Sequence, residues 1–179
     1  MRIISGTARG RKLKDFAGTD IRPTSDMVKE SIFNIVQFDI EGRRVLDLFA
    51  GTGQIGIEAL SRGARSAEFV DTSADAVKLI RANVELCGFK DNYAIYRRDA
   101  LSFLSYCEKY DLIFLDPPFD TPLADEAIGK IIEFDKLNAN GIIICETRVG
   151  LNPQVVSPPY YMQKEYKYGE IKVTRYERS

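Results

Sequence analysis

The sequence predicts an α/β protein: a mostly parallel sheet with helices on both faces, finished by an antiparallel hairpin. Three observations carry that expectation. Five short apolar runs, Val45–Phe49, Ala67–Asp71, Tyr93–Arg97, Leu112–Asp116 and Gly141–Glu146, read as strands buried on both faces. Between them lie stretches whose apolar residues recur at helical spacing. The tail then changes style, with Tyr161–Tyr168 and Glu170–Tyr176 joined tightly at Gly169.

Each element has its own signal. Residues 2–14 resemble a short β-hairpin with Gly6 to Gly10 at its turn. Arg22-Pro23-Thr24 is an extended entry, and Thr24 or Ser25 can cap a helix from Asp26 to about Phe38. In it Val28, Ile32, Ile35 and Val36 keep helical spacing, and Gly42 ends the connection. A helix over Gln54–Arg62 stops at Gly63. A longer one over Ala74–Cys87 places Val77, Ile80, Val84 and Cys87 on one face and stops at Gly88. Leu101–Tyr106 is a short helix and Leu123–Phe134 a full one.

Composition narrows the chemistry. With 179 residues, 45% of them hydrophobic, the chain is long enough for one domain with a full core. Net charge is −1, so no global positive field advertises nucleic acid. The charge is uneven, however. Arg2, Arg9, Arg11, Lys12 and Lys14 fall within the first fourteen residues, with no acidic residue among them. Arg9, Arg11, Lys12 and Lys14 are therefore candidate phosphate contacts, against the plainer reading of a solvated terminus. Cys87, Cys107 and Cys145 are widely spaced, with no CxxC pair, and read as buried thiols of a reducing compartment. There is no histidine, which excludes Ser-His and Cys-His triads and histidine metal sites, and no metal site is expected. The start lacks an apolar signal core and no run approaches membrane-spanning length, so the expected location is the cytoplasm, with no membrane partner.

Asp47-Leu48-Phe49-Ala50-Gly51-Thr52-Gly53 closes the first strand and suits a nucleoside-bearing cofactor. Gly51 to Gly56 is also literally G-x-G-x-x-G, with Asp71 twenty residues beyond Gly51, which satisfies a dinucleotide fingerprint. Asp47 separates the two readings. A carboxylate at that strand mouth suits the cationic methionine end of S-adenosylmethionine (SAM) and would repel a pyrophosphate. Asp71 with Thr72 would hold the ribose, and Asp99 with the Ala100 backbone N–H would meet the adenine edge. For any one of these acids a helix cap is the plainer explanation. Three acids at three successive strand ends are harder to explain that way.

Asp116-Pro117-Pro118-Phe119 closes the fourth strand. An exocyclic amine on a nucleobase is a poor nucleophile because its lone pair is delocalised into the ring. Accepting its two hydrogens at the Asp116 carboxylate and the Pro117 carbonyl returns density to nitrogen. Methyl transfer then relies on positioning and electrostatics rather than a strong base. Pro117 and Pro118 stiffen the loop, and Phe119 can stack on the base. The plainer reading is a surface turn. The C-terminal tyrosines interleave with lysines, a pattern more typical of a half-exposed edge hairpin than of an RNA-stacking surface.

A helix-covered sheet finished by such a hairpin resembles the Rossmann-like, SAM-dependent methyltransferases. The stretches Arg2–Gly6, Arg9–Leu13, Arg22–Thr24 through Glu30, Phe33-Asn34, Asp47–Gly56, Glu58–Ala64 and Asp116–Phe119 resemble the bacterial 16S rRNA (guanine-N2)-methyltransferases of the RsmD type. That resemblance implies SAM as cofactor, and as partner 16S rRNA in the small ribosomal subunit or its assembly intermediate. It also implies that the segment ending at Thr24 closes over the methionine part of SAM. The expected organisation is one monomeric domain: residues 1–40 for RNA docking and cofactor closure, residues 41–179 for the catalytic core. A DNA adenine-N6 or cytosine-N4 methyltransferase is the alternative enzyme, weakened by the lack of room for a target-recognition domain. A non-catalytic SAM- and RNA-binding assembly factor is the alternative outside enzymes, and a dehydrogenase the outlying case.

Overall fold

The computed structural model describes residues 1–16, 26–151 and 154–179. Five helices and seven strands follow one another as α1 (Asp26–Ile35), β1 (Arg44–Asp47), α2 (Gln54–Ser61), β2 (Ser66–Asp71), α3 (Ala74–Leu86), β3 (Tyr93–Arg97), α4 (Ala100–Leu104), β4 (Tyr110–Leu115), α5 (Leu123–Glu133), β5 (Leu137–Arg148), β6 (Tyr160–Tyr168) and β7 (Ile171–Arg178). One seven-stranded sheet results, in the order β3-β2-β1-β4-β5-β7-β6. Strands β1 to β5 are parallel, and β7 runs antiparallel between β5 and β6. The expected sheet, with its closing antiparallel hairpin, is thus present.

Side chains alternate along the central strands, so one strand feeds two cores. Val45, Phe69, Leu112, Phe114, Ile142 and Ile144 point into a layer with Ile32, Phe33, Ile55, Ile57, Ile80 and Val84 of α1, α2 and α3. Leu46, Val70, Ile113, Leu115, Ile143 and Cys145 point into the opposite layer, against Phe103, Leu104, Ala127, Ile128 and Ile131 of α4 and α5. Burial on both faces explains why these runs are continuously apolar. Gly56 serves the same packing, because a Cβ there would stand 2.3 Å from the Phe69 ring.

The N-terminal hairpin is present, with an antiparallel bridge between Arg2 and Lys12 and backbone bonds from Ile3 N–H to the Arg11 carbonyl, Gly10 N–H to the Ile3 carbonyl and Leu13 N–H to the Met1 carbonyl. Its turn also bonds to α2. Ile4 and Ser5 N–H donate to the Glu58 carboxylate, Thr7 N–H to the Ser61 carbonyl, and Ala8 N–H to the Ser61 hydroxyl. Gly6, at φ 81°, permits this approach, since a Cβ would fall 1.7 Å from the Ser61 carbonyl oxygen. Two expectations need correction. The first helix ends at Ile35 rather than Phe38, and Phe38 is exposed. Strand β5 begins at Leu137, earlier than the apolar run suggests, with a register shift opposite Tyr110–Leu112 and Asn140 at φ 57°. The cap at Thr24 or Ser25 falls outside the described residues.

The hairpin's register shifts between Met162 and Lys164. Tyr160 and Tyr176 are core residues, whereas Tyr161 is exposed and donates to Glu177. None of the cysteines is paired; Cys107 and Cys145 are buried and Cys87 half-buried. Among the described residues no helix is long and apolar enough to cross a membrane.

Candidate active site

In open α/β sheets, ligands bind beyond the carboxyl ends of the strands, where the strand order reverses. Here the reversal lies between β1 and β4. Read across the sheet, the strand ends carry Asp99 after β3, Asp71 on β2, Asp47 on β1, Asp116 after β4 and Glu146 on β5. The alternation that sends Val45, Phe69, Phe114 and Ile144 toward α1, α2 and α3 sends Asp47, Asp71, Asp116 and Glu146 to the same side. Four acids therefore share one face of four adjacent strand ends.

The loop between β1 and α2 is pinned from both sides. Asp47, 2% exposed, accepts from the Gly56 N–H at 2.9 Å. Burial pushes its pKa up to about 7, with Asp116 and Asp71 adding repulsion and the Gly56 N–H opposing. Asp71 accepts from the Gly51 N–H at 2.9 Å and, with its other oxygen, from the Ser73 N–H at 2.8 Å. Gly51 sits at φ 52°, and a Cβ there would meet nothing within 4 Å, so bare backbone faces open space. A ligand can approach it closely. Ala50 is buried and donates to the Val70 carbonyl; Phe49 is half-buried against the second core layer.

Other expected cofactor residues are placed differently. The Thr52 hydroxyl faces the arm, 3.4 Å from Met1 Sδ, and Thr72 is exposed with its carbonyl accepting from Arg97. Asp99 is exposed and caps α4 by accepting from the Ser102 N–H at 2.8 Å, with Ala100 buried behind it. Thr24 lies outside the described residues.

At the reacting end Asp116 is half-buried, Pro117 buried, Pro118 exposed and Phe119 half-buried. The Thr121 hydroxyl donates to the Pro118 carbonyl at 2.7 Å, which braces the turn. The Arg148 guanidinium lies 5.6 Å from the centre of the Phe119 ring. Asp116 and Glu146 line a narrow crevice of about 10 Å³ with Ile32, Ile55, Phe114, Leu115 and Ile144. Arg9, Arg11, Lys12 and Lys14 are all exposed, on an arm that is fixed to the body rather than loose. Among the described residues no cluster of acids, cysteines or histidines has the makings of a metal site.

Four residues escaped the sequence reading. Glu58 and Lys29, both 0% exposed, form a buried ionic hub under the arm. Nothing local signals it. Asn83, also 0% exposed, accepts from the Lys14 N–H and donates to the carbonyls of Lys14 and Thr52. A polar residue three positions after Ile80, on the apolar face, was a usable signal. Glu146 was readable too, because it ends the fifth strand as other acids end the rest.

A glycine loop after the first strand, acids along successive strand ends and this strand order define a Rossmann-like methyltransferase. The chain belongs to the family described as Conserved hypothetical protein 95, whose model matches residues 1–177, the RsmD family of small-subunit rRNA methyltransferases. It is similar to YlbH of Bacillus subtilis, 39% identical over 99% of each protein. Ribosomal RNA small subunit methyltransferase D of Haemophilus influenzae is 33% identical, with 99% of this chain and 93% of that protein covered. The solved structure of yhhF from Escherichia coli superposes with a TM-score of 0.89 at 31% identity, covering 99% of this chain and 97% of the other.

Proposed function

We propose that the chain transfers a methyl group from SAM to the exocyclic N2 of a guanine in 16S rRNA, position 966 by family resemblance. The observation that carries this reading is Asp116-Pro117-Pro118-Phe119 at the mouth of β4, on the strand-order reversal and on the same face as Asp47 and Asp71. When bound, SAM supplies a methyl group on a positively charged sulfur. Gly51 to Gly53 with Phe49, Ala50 and Thr52 would lie along it. Asp71 would meet the ribose, Asp47 the methionine end, Asp99 and Ala100 the adenine edge, and Thr24 would help to close the site.

Asp116 and the Pro117 carbonyl accept the two N2 hydrogens, which pyramidalises the nitrogen and frees its lone pair. Phe119 offers one ring face to the base while Arg148 lies over the other. Arg9, Arg11, Lys12 and Lys14 make phosphate contacts, and the substrate is the small subunit or its assembly intermediate. The exposure of all four side chains on a fixed arm supports that role. The enzyme acts as a monomer in the cytoplasm.

The test is Asp116→Ala with labelled SAM and small subunits from cells lacking the endogenous activity, followed by mapping of the modified base. The variant should bind SAM and RNA and transfer methyl at least about a hundredfold more slowly. Near-normal turnover, or a product mapped to another atom, would overturn the assignment.

A further inference from the structure

Glu146 is 4% exposed, and its Oε2 atom has no hydrogen-bond partner among the described residues. An unsatisfied buried oxygen is costly and calls for a partner. Its place is specific. Leu115 pairs with Cys145, so Asp116 and Glu146 follow side by side on neighbouring strands, spaced about 4.8 Å in a sheet. Both line a crevice of only about 10 Å³, room for one water, that Ile32 and Ile55 close from α1 and α2, so a base edge reaches the two carboxyl groups as those side chains move aside.

Building on the guanine-N2 reading, we infer that Glu146 reads the base itself: its carboxyl group pairs with the N1–O6 edge of the guanine whose N2 is held by Asp116 and Pro117. Burial, with Asp116 beside it, raises the Glu146 pKa well above the carboxylate range and keeps the group neutral. A neutral carboxyl offers one acceptor and one donor. Guanine held by N2 presents N1–H next and O6 beyond it. The Glu146 carbonyl oxygen accepts from N1–H, and its hydroxyl donates to O6. Adenine held by N6 presents the N1 acceptor and then a C–H. Cytosine held by N4 presents two acceptors, N3 and O2. Neither makes both bonds, and cytosine sets an acceptor against the carbonyl oxygen. The orphaned oxygen is thus satisfied fully by one base, and the selection comes from a buried polar group that the wrong base leaves unpaired.

The experiment pairs variants with an altered substrate. Small subunits are reconstituted with RNA carrying guanine or 2-aminopurine at the target position. The latter keeps the 2-amino group but lacks N1–H and O6. Wild-type enzyme should favour guanine by roughly tenfold or more in kcat/KM, the worth of one lost hydrogen bond. Glu146→Gln keeps a carbonyl and an N–H donor and should retain both rate and preference. Glu146→Leu removes both while filling the volume. It should lose the preference and slow on guanine by roughly tenfold or more, with SAM affinity unchanged. A purely structural role would move neither the substrate ratio nor the rescue by Gln. Equal use of the two substrates by wild-type enzyme overturns the inference without any variant, which covers the case of a Leu variant that does not fold. Guanine preference retained by the Leu variant, or lost in the Gln variant, overturns it as well. Wild-type enzyme that methylates no N2 at all refutes the parent assignment instead.

Discussion

Replacing Glu58 by alanine should loosen the N-terminal arm and cost a large part of the fold's stability. The carboxylate is 0% exposed and accepts from Ile4 N–H at 2.8 Å, Ser5 N–H at 3.0 Å and Arg62 Nε at 2.9 Å, with the Lys29 ammonium 3.9 Å away. Lys29 is itself 0% exposed, donates to the Arg2 carbonyl and has Asp26 at 3.7 Å. Burial lowers its pKa against the pull of Glu58 and Asp26. Removing one partner of a buried ion pair and leaving the other costs about 3–5 kcal/mol. The arm can limit the loss by lifting off, but it then exposes Ile3 and Leu13, worth about 1.5–3 kcal/mol each. For a domain of this size 1 kcal/mol shifts Tm by about 2–4 °C, so the melting temperature should fall by about 6–20 °C. Thermal unfolding followed by circular dichroism, with hydrogen exchange at residues 3–8, measures both effects. A Tm within about 2 °C of wild type, with those amides still protected, would refute the anchor role.

Three further outcomes follow from the site. Asp71→Ala should weaken SAM binding in calorimetry by about 1.5–3 kcal/mol for each charged hydrogen bond lost. It should also lower the ligand-free Tm, because the carboxylate ties Gly51 to Ser73; wild-type affinity would reject the ribose role. Neutralising Arg9, Arg11, Lys12 and Lys14 together should weaken RNA binding and flatten its salt dependence with SAM affinity intact, and an unchanged salt slope would reject the docking arm. Asp47 keeps its proton in the folded chain up to about pH 7 but ionises near 3.8 when unfolded. Its contribution is fully present below the lower value and fades at about 1.4 kcal/mol per pH unit as pH rises through the upper one. Asp47→Asn keeps an acceptor for Gly56 and should remove that slope. Denaturant titrations at about pH 5 and about pH 7 with the same loss in both proteins would contradict the buried-acid account.

The parallel sheet was legible because its strands are buried on both faces and therefore apolar throughout, and an acid stands within two residues of each run's end. The DPPF string and the glycine loop were legible as local patterns. The docking of the arm onto α2 was not, since its partners there, Glu58 and Ser61, lie more than fifty residues away and no alternation encodes them. Lys29 carries no local signal either, because its partners Arg2 and Glu58 come from distant segments. The early start of β5 hid behind polar Asn138 and Asn140, which the strand tolerates because Gly141 lets the chain fold back against Leu137. Glu146 was visible as the end of a strand, but only the sheet order sets it beside Asp116.

The insertion of β7 between β5 and β6 also decides which strands bound the sheet. Its outer strands are β3 and β6, and an open strand edge is a template on which another chain can add a strand and begin to aggregate. The β6 edge carries the register break between Met162 and Lys164, and its exposed Lys164 and Lys167 would have to be desolvated by any incoming strand. At the other end β3 is five residues long and finishes in exposed Arg97, with Arg98 following. The chain thus keeps the strands of the candidate site in the middle of the sheet and leaves outermost two that resist extension.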